Sequence, residues 1–148
     1  MTNKKIYKKG YTTGVFDLFH IGHLNVIRNA KRYCEELVVG VTTDDLVKKR
    51  KNKTPFIPFI ERVEIVATNM YVDDVVKQED MNKLGMVKSL ECDVVFVGND
   101  WEGHPTWIEY EKEFNQIGVD VVYLAHTDHT SSTKLQQILN LKIQNSVA

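Results

Sequence analysis

The sequence is poor in cysteine, with only Cys34 and Cys92 among its 148 residues. Their separation matches neither a C-x-x-C motif nor a zinc-ligand spacing, and each lies near an apolar run, which predicts two buried, reduced thiols. No apolar run approaches the ~20 residues that a membrane span needs. No apolar segment follows the lysine-rich first ten residues, so a signal peptide is not expected. These features predict a soluble, cytoplasmic protein.

The chain also lacks an excess of either charge. It carries 19 basic and 20 acidic residues, for a formal net charge of −1 at pH 7. This balance gives no electrostatic reason to expect nucleic acid or a membrane surface as a partner. The length fits one domain, because domains cluster around ~100–150 residues. We therefore expect a single domain over residues 1–148, with flexible ends at Met1–Lys8 and Ile143–Ala148.

Short β-branched runs alternate with segments of helical period, which is the pattern of a parallel sheet with crossover helices. The predicted strands are Lys9–Thr13, Glu36–Thr42, Asp73–Lys77, Asp93–Gly98 and Asp120–Leu124. The predicted helices are Ile21–Tyr33, Glu61–Asn69, Met81–Leu90, Thr106–Gln116 and Ser131–Leu141. The expected fold is a single doubly wound, Rossmann-like α/β domain with a five-stranded parallel sheet flanked by helices.

The segment Thr43–Ile60 is polar and lysine-rich and contains two prolines. We predict a long loop here, and a loop of that length in a compact domain is usually functional.

Ligands of doubly wound sheets bind beyond the carboxyl ends of the strands. Four segments that follow predicted strands are rich in polar residues: Gly14–His23, Thr43–Arg62, Gly98–Gly103 and Ala125–Lys134. Their convergence on one edge of the sheet predicts a single binding site.

The first of these segments contains two histidines at the predicted start of a helix. His20 and His23 are three residues apart, so both imidazoles lie on the same side of the first turn. The free N–H groups and positive dipole of that turn favour an anion, and Gly22 allows a close backbone approach. Two surface histidines without a function, or a two-histidine metal site that lacks an evident third ligand, are the alternatives.

The segment Phe16–His23, with the letters F-D-L-F-H-I-G-H, resembles the H-x-G-H motif of the cytidylyltransferase family. That family lies within the wider H-I-G-H nucleotidylyltransferase superfamily and includes glycerol-3-phosphate, choline-phosphate and ethanolamine-phosphate enzymes. Gly98–Gly103 is most similar to the G-D-D-W-E-G element of the glycerol-3-phosphate members, with Asn99 in place of an aspartate. His126–Lys134 resembles their R-T-E-G-I-S-T-T-K element.

The resemblance implies a role for residues at each strand end. The expected catalytic residues are His20, His23, Arg62 and Lys53. The expected nucleotide-binding residues are Thr13, Gly14, Val15, Phe16, Gly22, Lys51, Asp100, Thr127, Ser131 and Ser132. The expected substrate-binding residues are Asp17, Trp101 and His126.

Several of these residues have ordinary structural interpretations as well. A lysine run such as Lys48–Lys53 is more often a solvated face, and a cluster such as Ser131–Thr133 is more often a helix cap. Trp101 can equally be a core aromatic. Asp100 has the clearest chemical rationale, because cytosine presents an exocyclic amino group that requires an acceptor.

The resemblance implies transfer of CMP from CTP to a small phosphorylated alcohol, with release of pyrophosphate. sn-Glycerol 3-phosphate is the first candidate acceptor, which would give CDP-glycerol. Magnesium is expected to bind through the triphosphate, with no protein side chains acting as ligands alone, and the family suggests a homodimer. The alternatives are transfer to choline phosphate or ethanolamine phosphate, adenylyl transfer to a sugar phosphate or FMN, and a CTP sensor without turnover.

Departures from the family pattern leave the acceptor open. His126 and Met70 stand where glycerol-3-phosphate enzymes carry arginines, and His129 stands where they carry glycine. Val15 replaces their threonine and brings the first motif closer to that of choline-phosphate enzymes. The Trp101-Glu102-Gly103 element indicates glycerol phosphate instead.

Overall fold

The computed structural model describes residues 6–125 and 132–146. Its five strands are β1 (Tyr7–Gly14), β2 (Cys34–Thr42), β3 (Asp74–Gln78), β4 (Val94–Gly98) and β5 (Asp120–Leu124). Its helices are α1 (Ile21–Lys31), α2 (Asp44–Lys51), α3 (Phe59–Ala67), α4 (Lys83–Leu90), α5 (Pro105–Gln116) and α6 (Ser132–Ser146). A 3-10 turn, Asn99–Trp101, follows β4.

The strands form one parallel sheet in the order β3-β2-β1-β4-β5. The order reverses beside β1, which pairs with β2 on one side and β4 on the other. This confirms the predicted doubly wound α/β fold with five parallel strands. A topological switch point of this kind is where such sheets bind ligands.

Helices cover both faces of the sheet, so the strands contribute to two separate cores. Leu37, Val39 and Val41 pack on one face with Ile27 of α1, whereas Val38 packs on the other face with Phe114 of α5. Successive residues of β2 are therefore buried in opposite directions. This explains why the central strands are nearly continuous hydrophobic runs.

The predicted loop Thr43–Ile60 is wrong in its first half, because α2 occupies Asp44–Lys51. The Thr43 hydroxyl accepts a hydrogen bond from the Leu46 N–H at 3.3 Å, and two aspartates occupy the first turn. Basic residues fill the last turn, and Asn52 ends the helix in the left-handed conformation. Such capping and charge placement stabilise a short helix. The lysine run is thus held on a helix rather than on an extended loop.

The described ends of the chain contain regular structure. Tyr7 already belongs to β1, and its hydroxyl donates a hydrogen bond to Asp120 at 2.9 Å. At the other end α6 continues to Ser146. Both cysteines are buried and neither forms a disulfide, as predicted, and burial raises the pKa of Cys92 to about 11. In residues 6–125 and 132–146, no helix combines the length and apolarity that crossing a bilayer would take.

Candidate active site

A cavity of about 470 Å³ opens beyond the carboxyl ends of β1, β2, β3 and β4. Its wall includes Gly14 and Phe16 after β1, Thr42 at the end of β2, Gln78 at the end of β3 and Gly98 at the end of β4. Side chains from α2, α5 and α6 complete the wall. Three of the four polar segments that the sequence indicates therefore meet at one cavity in the described structure.

The loop between β1 and α1 has a strained backbone. Phe16 and Leu18 have φ values of 56° and 51°, a left-handed conformation that L side chains adopt at a cost of roughly 1–2 kcal/mol each. Between them, the Asp17 carboxylate accepts hydrogen bonds from the N–H groups of Phe56 and Ile57, both at 2.9 Å. Strain held in place by buried hydrogen bonds is typical of functional loops.

The two histidines cap the first turn of α1 reciprocally. The Gly22 N–H donates to Nδ1 of His20 at 3.0 Å, and the His20 N–H donates to Nδ1 of His23 at 3.2 Å. Because Nδ1 accepts in both rings, each neutral imidazole carries its proton on Nε2. The capping thus fixes Nε2–H as the donor atom of each ring.

Aromatic packing fixes the orientation of the imidazoles. The His20 and His23 rings stack with their centroids 3.9 Å apart. Phe16 and Phe19 lie against His23, with ring centroids at 5.4 Å and 5.3 Å. His23 lines the cavity, and buried Gly22 lies between the two histidines at the helix start. The predicted grouping of His20, Gly22 and His23 beside the loop Thr13–Phe16 is thus present.

Arg62 occupies a different place from the one expected for a phosphate ligand. Its side chain is buried, with the residue only 1% exposed. The guanidinium donates to the carbonyl oxygens of Val15 and Thr42 at 2.7 and 2.8 Å, and it forms an ion pair with Asp44 at 2.6 Å. In this structure Arg62 therefore joins the β1–α1 loop to the end of β2. Its contact with a phosphate stays a prediction.

Lys51 and Lys53 both line the cavity, as a phosphate-binding role requires. Burial lowers the pKa of Lys51, and the neighbouring charges of Lys53 and Arg50 lower it further. The Lys53 ammonium donates to the Gln136 side chain at 3.0 Å, and Gln136 in turn donates to Asp17 at 2.9 Å. This chain of contacts connects α6 to the lysines and to the β1–α1 loop.

The segment after β4 is only partly directed at the cavity. Trp101 lines it and is 41% exposed, which agrees with a ligand contact rather than with a core position. The Asp100 carboxylate folds back beside Gly98, where an added Cβ would lie 2.8 Å from Asp100 Oδ1. Asp100 is not part of the cavity wall in the described structure. Reading of a base by Asp100 therefore stays a prediction.

Sequence reasoning missed the opposite wall of the cavity, which is built from Gln78, Lys83, Trp107 and Tyr110. The Tyr11 hydroxyl donates to Gln78 Oε1 at 2.6 Å, and Gln78 Nε2 donates to the Asp80 carbonyl oxygen at 2.8 Å. The segment before α4 is thereby fixed to the sheet. The available signal was the position of the segment directly after a strand.

Lys83 lies against aromatic rings at this wall. Its Nζ lies 4.9 Å from the centroid of the Trp107 ring and 5.4 Å from that of Tyr110. Burial lowers the pKa of Lys83 to about 8, and the positive charge of Arg50 contributes.

Some predicted site residues cannot be placed. Thr127, Ser131 and His126 lie outside the described residues, and the same holds for the side chain of Ser132. Among the residues that the structure describes, no group of three or more His, Cys, Asp and Glu side chains could hold a metal ion.

Solved structures resemble this fold. A lipopolysaccharide core biosynthesis protein from Thermoplasma volcanium aligns with a TM-score of 0.68 and 22% identity, over 84% of this chain and 99% of that one. A pantoate-beta-alanine ligase from Francisella tularensis aligns with a TM-score of 0.61 and 13% identity, over 83% of this chain and 60% of that one. At these identities the likeness concerns the fold alone.

Sequence relatives include FAD synthases and glycerol-3-phosphate cytidylyltransferases. An FAD synthase from Pyrococcus abyssi is 34% identical over 126 residues, covering 82% of this chain and 85% of the relative. A glycerol-3-phosphate cytidylyltransferase from Bacillus subtilis is 33% identical over 131 residues, covering 88% of this chain and 95% of the relative. The cytidylyltransferase-like family matches residues 11–138. This chain is therefore a member of the cytidylyltransferase-like family of nucleotidyltransferases.

Proposed function

We propose that this chain transfers CMP from CTP to a small phosphorylated alcohol, with sn-glycerol 3-phosphate as the first candidate acceptor. The products would be CDP-glycerol and pyrophosphate. The observation that carries the proposal is the reciprocal capping of His20 and His23 at a helix N-terminus, with His23 in the cavity wall. The glycerol-3-phosphate relatives, which this chain matches over most of its length, support the choice of substrates.

The chemistry requires only positioning and charge stabilisation. An oxygen of the acceptor phosphate attacks the α-phosphorus in line, a P–O bond forms, and the bond to the leaving pyrophosphate breaks. His20 and His23 donate hydrogen bonds to α-phosphate oxygens, where negative charge increases in the transition state. A phosphate monoester is itself a nucleophile, so no covalent enzyme intermediate is needed.

The remaining cavity residues orient the triphosphate. Lys51 and Lys53 face the cavity and can neutralise the β- and γ-phosphates. Arg62 has a positioning role, because it donates a hydrogen bond to the carbonyl oxygen of Val15 and thereby holds the strained loop that precedes the histidines. Phosphate contacts by Thr127, Ser131 and Ser132 belong to the same proposal.

Magnesium fits this proposal as a partner of the triphosphate. The carboxylates nearest the loop are already engaged, since Asp17 accepts backbone N–H groups and Asp44 pairs with Arg62. The triphosphate oxygens would therefore hold the ion, which supplies charge neutralisation when bound. A homodimer and a cytoplasmic location remain part of the proposal.

Adenylyl transfer to FMN is the second candidate, and a specific observation favours it. The FAD synthases of Pyrococcus abyssi and Pyrococcus horikoshii are both 34% identical to this chain. The aromatic wall of Trp107 and Tyr110 would also suit a flat ring system. Asp100 favours cytosine instead, because a carboxylate accepts from its amino group.

Pyrophosphate release distinguishes the two. Purified protein is incubated with CTP, UTP, ATP or GTP against glycerol 3-phosphate, phosphocholine, phosphoethanolamine and FMN. The proposal expects the largest rate for CTP with glycerol 3-phosphate and a product with the mass of CDP-glycerol. The largest rate for ATP with FMN would replace the proposal with FAD synthesis. No release with any pair would indicate nucleotide binding without turnover.

A further inference from the structure

The cavity has two ends with different chemistry. One end contains the H-x-G-H segment and the lysines of α2, to which the nucleotide is assigned above. The other end is formed by Met81 and Lys83, which follow β3, and by Trp107 and Tyr110 of α5, which follows β4. None of the residues expected to bind the nucleotide belongs to this second end. It is left for the acceptor.

Lys83 is an unusual residue for its position. It is the first residue of α4, where the helix dipole disfavours a cation, and the first turn contains no acidic side chain. Among the described residues, no carboxylate lies within ion-pair distance of its ammonium group. Instead the ammonium rests on the faces of Trp107 and Tyr110. Although Asp80 also lines the cavity, it forms no ion pair with this ammonium group, which can therefore contact a ligand.

On this basis we propose that Lys83 determines the class of acceptor: it admits an alcohol phosphate whose far end is uncharged and bears hydroxyl groups, and it excludes one with a quaternary ammonium group. This inference rests on the proposed function and narrows it. The ammonium group of Lys83 occupies the aromatic surface that a choline group would need, since cations bind over the faces of tryptophan and tyrosine.

The positive charge at this end of the cavity disfavours a choline group as well, in addition to the covering of the aromatic rings by Lys83. Arg50 lines the cavity as well and lies close enough to lower the pKa of Lys83. The positive end of α4 adds to both charges. A quaternary ammonium ion would face repulsion from this group, whereas hydroxyl oxygens would accept hydrogen bonds from the three N–H donors of Lys83.

The test uses Lys83→Met, because an unbranched methionine lacks both the charge and the terminal atom that lies over the rings. Lys88→Met is the control, because Lys88 is an exposed lysine of the same helix and does not line the cavity. For each protein, kcat/KM with CTP is measured for glycerol 3-phosphate and phosphocholine. We expect Lys83→Met to raise the ratio of phosphocholine to glycerol 3-phosphate by roughly tenfold or more, the scale of a desolvated cation–π contact. The control should match wild type.

A binding measurement separates failure of this inference from failure of the proposed function. Titration of each protein with phosphocholine and with glycerol 3-phosphate, followed by tryptophan fluorescence, requires no turnover. If wild type releases no pyrophosphate but Lys83→Met gains phosphocholine affinity, the proposed function fails and the role of Lys83 holds. If Lys83→Met and wild type bind the two compounds in the same ratio, the role of Lys83 is refuted. If Lys83→Met loses binding because it is poorly folded, its unfolding midpoint falls below that of wild type. Lys83→Gln then replaces Lys83→Met in both measurements.

Discussion

Two cations close to the same cavity show how differently a positive charge can be used. Arg62 is buried and donates to three carbonyl oxygens, those of Ile57, Val15 and Thr42, as well as to Asp44. The ammonium group of Lys83 forms no ion pair with the described residues and lies on aromatic rings. The charge of Arg62 is engaged by hydrogen bonds within the protein, whereas that of Lys83 can contact a ligand. Sequence alone assigns ligand binding to Arg62 and overlooks Lys83.

The loop between β1 and α1 keeps its shape through contacts on both sides of Phe16. Arg62 holds Val15, and Asp17 holds the backbone of Phe56 and Ile57, on either side of the left-handed Phe16. The loop is therefore over-determined, and its strain can persist. At the other end of the cavity, the Gln78 side chain fixes the segment before α4. It accepts a hydrogen bond from the Tyr11 hydroxyl and donates one to the Asp80 carbonyl oxygen. The loop between β1 and α1 is thus firmly held, whereas the Lys83 ammonium group forms no ion pair with the described residues.

The largest effect should come from the histidines, which neither cation can replace. We expect His20→Ala and His23→Ala to lower kcat by roughly 10²–10³-fold each, the scale for loss of one transition-state donor. His20→Asn is the matched variant, because asparagine still caps the helix but offers no imidazole donor. It should lose as much activity as His20→Ala while keeping the wild-type unfolding midpoint. Activity of His20→Asn within a few-fold of wild type would contradict the donor role.

Loss of the Arg62 side chain should lower the free energy of unfolding much more than loss of the Lys83 charge. Arg62→Ala leaves the carbonyl oxygens of Val15 and Thr42 without their donor and breaks the pair with Asp44. We expect the free energy of unfolding to fall by roughly 3 kcal/mol, the scale for breaking a buried ion pair. Lys83→Met removes no hydrogen bond and should change it by less than about 1 kcal/mol. Urea unfolding followed by tryptophan fluorescence measures both, and equal losses would show that the two cations have the same structural role.

Nucleotide choice should depend on Asp100 and not on Lys83. Asp100→Ala removes the acceptor proposed for the cytosine amino group, so we expect the preference for CTP over UTP to fall by roughly tenfold, within the range for one base contact. Lys83→Met should leave that preference unchanged, because its place is at the acceptor end. The ratio of kcat/KM for CTP and UTP measures both effects. An unchanged ratio in Asp100→Ala would remove Asp100 from base recognition.

The fold could be predicted from the sequence because hydrophobic patterning in β2 and β4 determines the sheet. The α2 helix could not be found from periodicity, because its eight residues include only Leu46 and Val47 as buried positions. Its signal was the cap at Thr43 followed by two aspartates. The grouping of His20 and His23 was predictable, since local spacing sets it. The contacts of Arg62 depend on residues 5 to 47 positions away, which local patterns do not encode.

The acceptor wall was missed for the same reason. Trp107 and Tyr110 are three residues apart, a spacing that in a helix is more often that of a packed core face. The face formed by Trp107 and Tyr110 is recognised as part of the proposed site only when Lys83 of α4 is seen to lie against it. Long-range juxtaposition, rather than a motif, defines this end of the cavity.

The smallest effect concerns folding stability at alkaline pH. Burial lowers the pKa of Lys83 from 10.5 to about 8, so between these values the unfolded chain binds more protons than the folded one. The contribution of Lys83 to the free energy of unfolding therefore rises with pH in this window. Tyr11 and Cys92, whose pKa values burial raises to about 12 and 11, act in the opposite direction. The difference between wild type and Lys83→Met isolates the lysine.

The same titration should appear in acceptor discrimination. The pKa of Lys83 is lowered to about 8, so its ammonium group is charged at pH 7 and largely neutral at pH 9.5. Arg50 of α2, Asp80 before α4 and Tyr110 of α5 line the same cavity. The wild-type ratio of kcat/KM for phosphocholine to glycerol 3-phosphate should therefore rise by a few-fold across this range. The Lys83→Met ratio should stay flat. A parallel rise in both proteins would trace the effect to another group, and a flat wild-type profile would show that the charge of Lys83 does not select the acceptor.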